Sequence, residues 1–280
     1  MQGQTCRVRR YYNKNTFWML SLGQGRGEAV IHRPVWMGEE RSRKEALHTV
    51  ERLIAEALLA GKLSNQAAKQ ILDLGCGVGG SALWLAARYP VSITGVTLSP
   101  FQAKTARRFA LRRGLGDRCR FRVADFTQLP EVRGITDAYA IESFSHGSDP
   151  AAFFSQIGTL LPAGGRLILC DDFIATEEGP VSNRRETWLS RFREGWHLQS
   201  LITEDEVLRI AVQRGFDPVQ RIELTSYLRQ TPPLIRALQR LAGKTLRRSA
   251  WGASMYGGSA LQVCQQNGWT EYLFLVLEKR

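Results

Sequence analysis

The chain reads as an alternating α/β fold with a parallel sheet covered on both faces. Three observations predict this. Short apolar runs at 71–74, 92–96, 119–123, 138–141 and 166–170 alternate with helical patterns near 79–88, 100–113 and 150–161. Such alternation requires right-handed crossovers, which place helices on both sides of the sheet. The run Ile71-Leu72-Asp73-Leu74 ends beside an acid. It enters the glycine-rich Gly75-Cys76-Gly77-Val78-Gly79-Gly80, and then a helical pattern begins. That order means strand, tight turn and helix start. Finally, 280 residues with 44% hydrophobic content can bury a full core in one domain, with room for a small lobe.

The elements follow in order. Residues 1–36 contain Tyr11-Tyr12-Asn13-Lys14-Asn15-Thr16-Phe17-Trp18, too aromatic for a disordered tail. Residues 39–60 form a helix, since Leu47, Val50, Leu53, Ile54, Ala57 and Leu58 recur at helical spacing, with Gly61 as its stop. His48 in that helix is a surface or structural residue. The five strands then follow, with Gly164-Gly165 turning into the fifth. After Asp171-Asp172 the rhythm breaks. Thr203 and Glu206 open a helix as a capping box. A sixth strand is expected at 217–224 and a last one at 272–277. The interval 226–268 is long for a loop and must hold structure or function of its own.

Composition excludes several classes. No apolar run approaches a membrane span, and the first ten residues lack the apolar core of a signal peptide. A cytoplasmic protein is therefore expected. Cys6, Cys76, Cys119, Cys170 and Cys264 are odd in number and scattered, and the four histidines do not join them. Neither disulfides nor a metal site is expected, and Cys76 is read as a small filler. The net charge of +12 raises the question of nucleic acid. Much of it lies in Arg107, Arg108, Arg112 and Arg113, read first as a solvated helix face.

The glycine turn admits two ligands. Gly75, Gly77 and Gly80 fit the dinucleotide spacing, and Gly75, Gly77 and Gly79 fit G-x-G-x-G after an acid. A carboxylate at Asp73 repels pyrophosphate but attracts an ammonium. The second strand ends at Thr97, where a dinucleotide site wants a ribose-binding acid. The pair D-L-G-C-G-V-G-G and G-V-T-L-S-P-x-Q closely resembles class I methyltransferases that use S-adenosylmethionine (SAM), the branch holding sterol, tocopherol and cyclopropane-fatty-acid enzymes. That resemblance implies a Rossmann-like fold with a mostly parallel seven-stranded sheet and an antiparallel last strand. It also implies an N-terminal lid at 1–62, a SAM-binding core at 63–176, and a remainder at 177–280. Insertions near 177–200 and 226–268 would cap the substrate, or would simply extend the fold.

By the same resemblance, Asp73 holds the SAM amino group, and Gly75, Gly77 and Gly79 lie against its methionine part. Thr97, Leu98 and Gln102 meet the ribose and adenine, Asp125 and Phe126 the adenine, and Ile141 lines the site. Tyr11 or Tyr12 reaches the methionine carboxylate if the N-terminal segment is a lid rather than an amphipathic helix packed on the domain. Phe17 and Trp18 then face the substrate. Ile141-Glu142-Ser143-Phe144-Ser145-His146 resembles the I-E-A-x-x-H segment of sterol C-methyltransferases. The expected reaction is C-methylation of an apolar small molecule such as an isoprenoid, through a carbocation. Aromatic faces at Trp188, Trp196, Trp251 and Tyr256 would stabilise it, each by about 0.5–2 kcal/mol, and Glu142 or His146 would remove the proton. Glu142 as a structural acceptor, an O- or N-methyltransferase, and a non-catalytic SAM- or RNA-binding module remain alternatives. Nucleic acid is not the expected substrate, because N/D-P-P-Y and Pro-Cys motifs are absent at the strand ends. A diphosphate on the substrate would find candidate clamps in Arg184, Arg185 and Arg191. A homo-oligomer is compatible with all of this.

Overall fold

A computed structural model describes residues 9, 12, 13, 16, 28–38, 40–59, 69–129, 132–176, 182–232, 234, 235, 237, 239, 241 and 249–280. Tyr11, Phe17, Trp18 and Gly61 lie outside them. The strands are β1 (Lys69–Leu74), β2 (Val91–Thr97), β3 (Cys119–Val123), β4 (Asp137–Ile141), β5 (Arg166–Ile174), β6 (Phe216–Glu223) and β7 (Thr270–Lys279). They form one seven-stranded sheet in the order β3-β2-β1-β4-β5-β7-β6. β7 runs antiparallel between β5 and β6, and the pairs among the first five strands are parallel. This is the Rossmann-like sheet expected from the sequence. β5 runs on to Ile174, beyond its predicted end, because β7 pairs with it as far as Thr270. The strand order reverses between β1 and β4, which opens a crevice at their carboxyl ends.

Successive strand residues face opposite sides, so a doubly covered strand feeds two cores. Ile71, Phe121, Tyr139, Ile168 and Phe274 pack on one side against helices α2 (Thr49–Leu59), α3 (Gly80–Arg88) and α4 (Pro100–Arg112), and the short α1 (Arg43–Leu47) precedes α2. Leu72, Val96, Leu169 and Leu275 pack on the other against α5 (Pro150–Leu160) and α7 (Glu204–Gln213). Thr203 and Glu206 make the expected capping box before α7. The predicted helix at 39–60 is two helices, broken at His48, with Ser42 as the N-cap of the first. His48 is buried and stacks on Trp84 with centroids 5.1 Å apart, a structural role. Arg107, Arg108, Arg112 and Arg113 are exposed at α4, while Ala103, Ala106 and Ala110 face the sheet.

The long interval before β7 contains α8 (Ala250–Gln266), which packs on α6 (Asn183–Trp196). Gly195 and Gly257 make this possible: a side chain at either would strike the other helix. The Trp196 indole N–H donates to the Ser254 carbonyl at 3.1 Å and pins the crossing. Leu189, Phe192, Leu261 and Cys264 form a third apolar cluster between the two helices. Among the described residues, no helix is long and apolar enough to cross a membrane.

Candidate functional site

The turn after β1 is built by backbone conformation. Gly75, Gly77 and Gly79 have φ of +85°, +52° and +83°, values that cost other residues strain. The N–H groups of Gly75 and Cys76 both donate to the Val96 carbonyl at 2.9 Å, tying the turn to β2. The glycines differ in what they face. A Cβ at Gly79 would lie 2.6 Å from the Phe121 ring, and one at Gly80 would strike the Ala29 carbonyl. Gly75 and Gly77 line the cavity, whereas Gly79 does not. Gly79 is glycine for close packing on β3 and α4.

The cavity has a volume of about 740 Å³ and opens at the carboxyl ends of the central strands. Thr97, Leu98, Gln102, Phe126 and Ile141 line it, as do Tyr12, Glu142, His146, Trp196 and Trp251. These predicted residues come from six separate stretches of chain. The Thr97 hydroxyl donates to the Gln102 amide oxygen at 2.7 Å, and Gln102 Nε2 donates to Thr16 at 3.0 Å. Gln102 is therefore held by protein partners on both sides of its amide. Tyr12 Oη and His146 Nε2 are hydrogen-bonded at 2.7 Å. Burial pushes the His146 imidazole down to about 4, so it is neutral at physiological pH.

Four other predicted residues do not line the cavity. Asp125 accepts from the Thr127 N–H at 2.9 Å and hydroxyl at 2.7 Å, closing its own turn. Trp188 lies under the Arg191 guanidinium at 4.5 Å. Tyr256 falls off the helical stripe of Trp251, Met255, Gly258 and Gln262 that faces the cavity. Asp73 sits behind the turn, 4% exposed, and burial pushes it up to about 7 despite the Tyr139 phenol beside it. Of the arginines proposed as diphosphate clamps, none lines the cavity. Arg184 lies 6.0 Å over Trp269, Arg185 donates to the Ala175 carbonyl, and Arg191 covers Trp188.

A charged group that sequence reasoning missed occupies the cavity wall. Arg33 donates from its N–H (3.0 Å) and Nε (2.9 Å) to Glu142 Oε1, and from Nη2 to Asp172 at 2.8 Å. Its guanidinium stacks on Tyr272, 4.0 Å from the centroid, and the Tyr272 hydroxyl donates to Glu142 at 3.1 Å. Glu142 itself has φ of +47°, a strained conformation held by these partners. Burial works to raise its pKa, but Arg33 outweighs it and holds Glu142 below the ordinary value. Burial pushes Asp172 up to about 7, with Arg33 opposing and Asp171 and Glu142 adding repulsion. Asp171 is pushed by burial to about 6 while accepting from the Ser145 N–H and hydroxyl. One guanidinium thus serves two carboxyls with Asp171 beside them, and the three cannot all be ionised cheaply. Behind it, His32 Nε2 bonds Glu51 at 2.9 Å, and Ser81 donates to the same oxygen at 2.7 Å. Burial opposes charge on His32, but Glu51 wins and raises it to about 9. Asp171-Asp172 stood out as a pair at the end of β5. Arg33 carried no signal, because its partners lie 109 and 139 residues away.

Comparison with known proteins places this geometry. The family model of mycolic acid cyclopropane synthetase matches residues 44–199. An O-methyltransferase of Pyrenophora dematioidea is 29% identical over 255 residues, spanning 88% of this chain and 89% of that protein. The [4+2]-cyclase SpnF superposes with a TM-score of 0.76 at 22% identity, over 97% of this chain and 94% of that one. Geranyl diphosphate methyltransferase in complex with GPP and sinefungin gives 0.74 at 22% identity, over 99% and 100%. At that identity these likenesses establish the fold.

Proposed function

Because this chain belongs to the mycolic acid cyclopropane synthetase family and is a SAM-dependent class I methyltransferase, we propose that it methylates an oxygen of a small, largely apolar molecule, with His146 as general base. The residues present fit SAM. Gly75 and Gly77 offer bare backbone to the cavity, next to the N-terminus of α3. Thr97, Leu98 and Gln102 would meet the ribose and adenine, and the Phe126 ring would cover the base. Asp73 is a buried acid held near 7, and a cation beside it would draw it back to the carboxylate. Bound SAM supplies an electrophilic methyl group on a cationic sulfur.

The observation that carries the reading is the neutral His146 on the cavity wall, joined to the Tyr12 hydroxyl at 2.7 Å. An acceptor O–H can pass its proton to Nε2 directly or through the Tyr12 hydroxyl. Glu142 suits another task. Three donors converge on its Oε1, so that oxygen is already saturated, and Arg33 makes the carboxylate a fixed negative charge. Trp196, Trp251 and Phe126 exclude water from the transfer.

C-methylation through a carbocation is the second reading. It is favoured by that same ionised Glu142 among Tyr12, Phe126 and Trp196, which would stabilise positive charge on carbon. Incubating labelled SAM with panels of phenols, alkenes and amines separates the two. For the oxygen reading, His146→Gln is expected to lower turnover of a methylated phenol by about 10²–10⁴-fold, with S-adenosylhomocysteine affinity unchanged by calorimetry. Full turnover in that variant would remove His146 as the base.

A further inference from the structure

We infer that one wall of the substrate cavity is a subsite for a neutral oxygenated group, a hydroxyl or an enol, carried by the substrate away from the methylated atom. This rests on the methyltransferase reading of the cavity and adds a substrate class to it. The cavity-facing stripe of α8 changes character along its length. Trp251, Met255 and Gly258 are apolar, and Gln262 and Gln265 follow at the last turn. Gln239, from the segment before α8, lines the same cavity.

Their amides are incompletely used. Gln262 Nε2 donates to the Thr231 hydroxyl at 3.0 Å, which fixes the side chain, yet its Oε1 is buried without a partner. Gln265 Nε2 and Gln239 Oε1 are also buried and unpartnered. Each such atom costs a protein free energy that a leucine at the same position would not. Three in one cavity wall mark a surface shaped for a ligand's polar atoms. The three unpartnered atoms are two acceptors and one donor. A hydroxyl can give a proton to one carbonyl and accept from one NH₂.

A diphosphate fits this wall poorly. It only accepts hydrogen bonds, and the cavity also carries Glu142, Asp171, Asp172 and Glu223. Of the cations that the described residues place on the wall, Arg33 is shared by two carboxylates, His32 is paired with Glu51, and Arg229 lies flat over Trp36 at 3.3 Å.

The test compares the whole protein with a Gln262→Leu/Gln265→Leu variant, each saturated with S-adenosylhomocysteine, in calorimetric titrations. The probes are a series of naphthalene diols, the matching naphthols with one hydroxyl, and geranyl diphosphate with Mg²⁺. The wild type is expected to bind at least one diol about 10-fold more tightly than its naphthol, one added hydrogen-bonded group being worth about that factor. The variant is expected to lose that preference while keeping its naphthol affinity. Its melting temperature should be unchanged or higher, because two stranded amides are gone. Three results would overturn the inference: an undiminished diol preference in the variant, no diol preference in the wild type, or tighter binding of geranyl diphosphate than of every diol. Failure to bind S-adenosylhomocysteine at all would instead sink the methyltransferase reading, so the two failures are distinguishable.

Discussion

Arg33→Met strips the cavity wall of the guanidinium that Glu142 and Asp172 share at 2.9 and 2.8 Å. The three side chains are 12%, 16% and 3% exposed, so little water replaces the lost partner. Breaking a buried pair from one side costs about 3–5 kcal/mol, because a charge is left buried and uncompensated. Here three carboxyls remain, counting Asp171. A loss of that size lowers the melting temperature of a domain this large by about 6–20 °C. The sign with pH follows from titration. In the wild type Glu142 is held below its ordinary value, so its share of stability is present above 4.5 and fades as pH falls through its folded value. In the variant the abandoned carboxyls titrate upward and can be neutralised by protons. The deficit is therefore greatest at pH 8 and falls to less than half by pH 5. Urea unfolding at both pH values measures it. The triple variant Arg33→Met/Glu142→Gln/Asp172→Asn, which leaves only Asp171 there, held by the Ser145 N–H and hydroxyl, should recover most of the loss at pH 8. A deficit below about 1 kcal/mol, or one equal at both pH values, would refute the shared-guanidinium argument.

Two further outcomes follow from the same electrostatics. Asp73→Asn should weaken S-adenosylhomocysteine binding by about 10-fold or more in calorimetry, about 1.4 kcal/mol. Folding should change little, since burial already holds Asp73 near 7, and an unaltered affinity would remove Asp73 from the cofactor site. His32 is raised from 6.5 to about 9, so the folded state keeps a proton that the unfolded chain releases. Its stabilisation is complete below about pH 6.5 and is lost as pH rises to about 9, a decline of about 3 kcal/mol. Chemical denaturation across that window should show the slope in the wild type and lose it in His32→Gln. A slope that survives the substitution would assign it to another group.

Much of the architecture was legible because its signals are local. The strand–turn–helix at Asp73–Gly80 depends on apolar period and on glycine, both readable within ten residues. Thr203 and Glu206 announced a helix start through side chains three positions apart. The members of the cavity wall at strand ends, Thr97, Leu98, Phe126, Glu142 and His146, were picked out by the family resemblance, and they meet because parallel strands deliver their carboxyl ends to one crevice. Local reasoning is ambiguous where a residue type has two uses. Asp125 has the chemistry of an adenine ligand, and its carboxylate also closes its own turn on Thr127. Gly79 has the spacing of a ligand glycine and yields its space to Phe121. Arg184, Arg185 and Arg191 have the charge for phosphate but spend it on aromatic rings and a carbonyl.

By itself, then, the sequence determined the sheet and its glycine turn, because periodicity and turn chemistry act over a few residues. Tertiary structure alone decided the charge state of the crevice. Arg33 meets Glu142 and Asp172 across more than a hundred residues, and α6 meets α8 through two glycines far apart in the chain. No period or motif encodes such pairings. They arise only when burial removes water and each charge or bare backbone must find its partner in the folded interior.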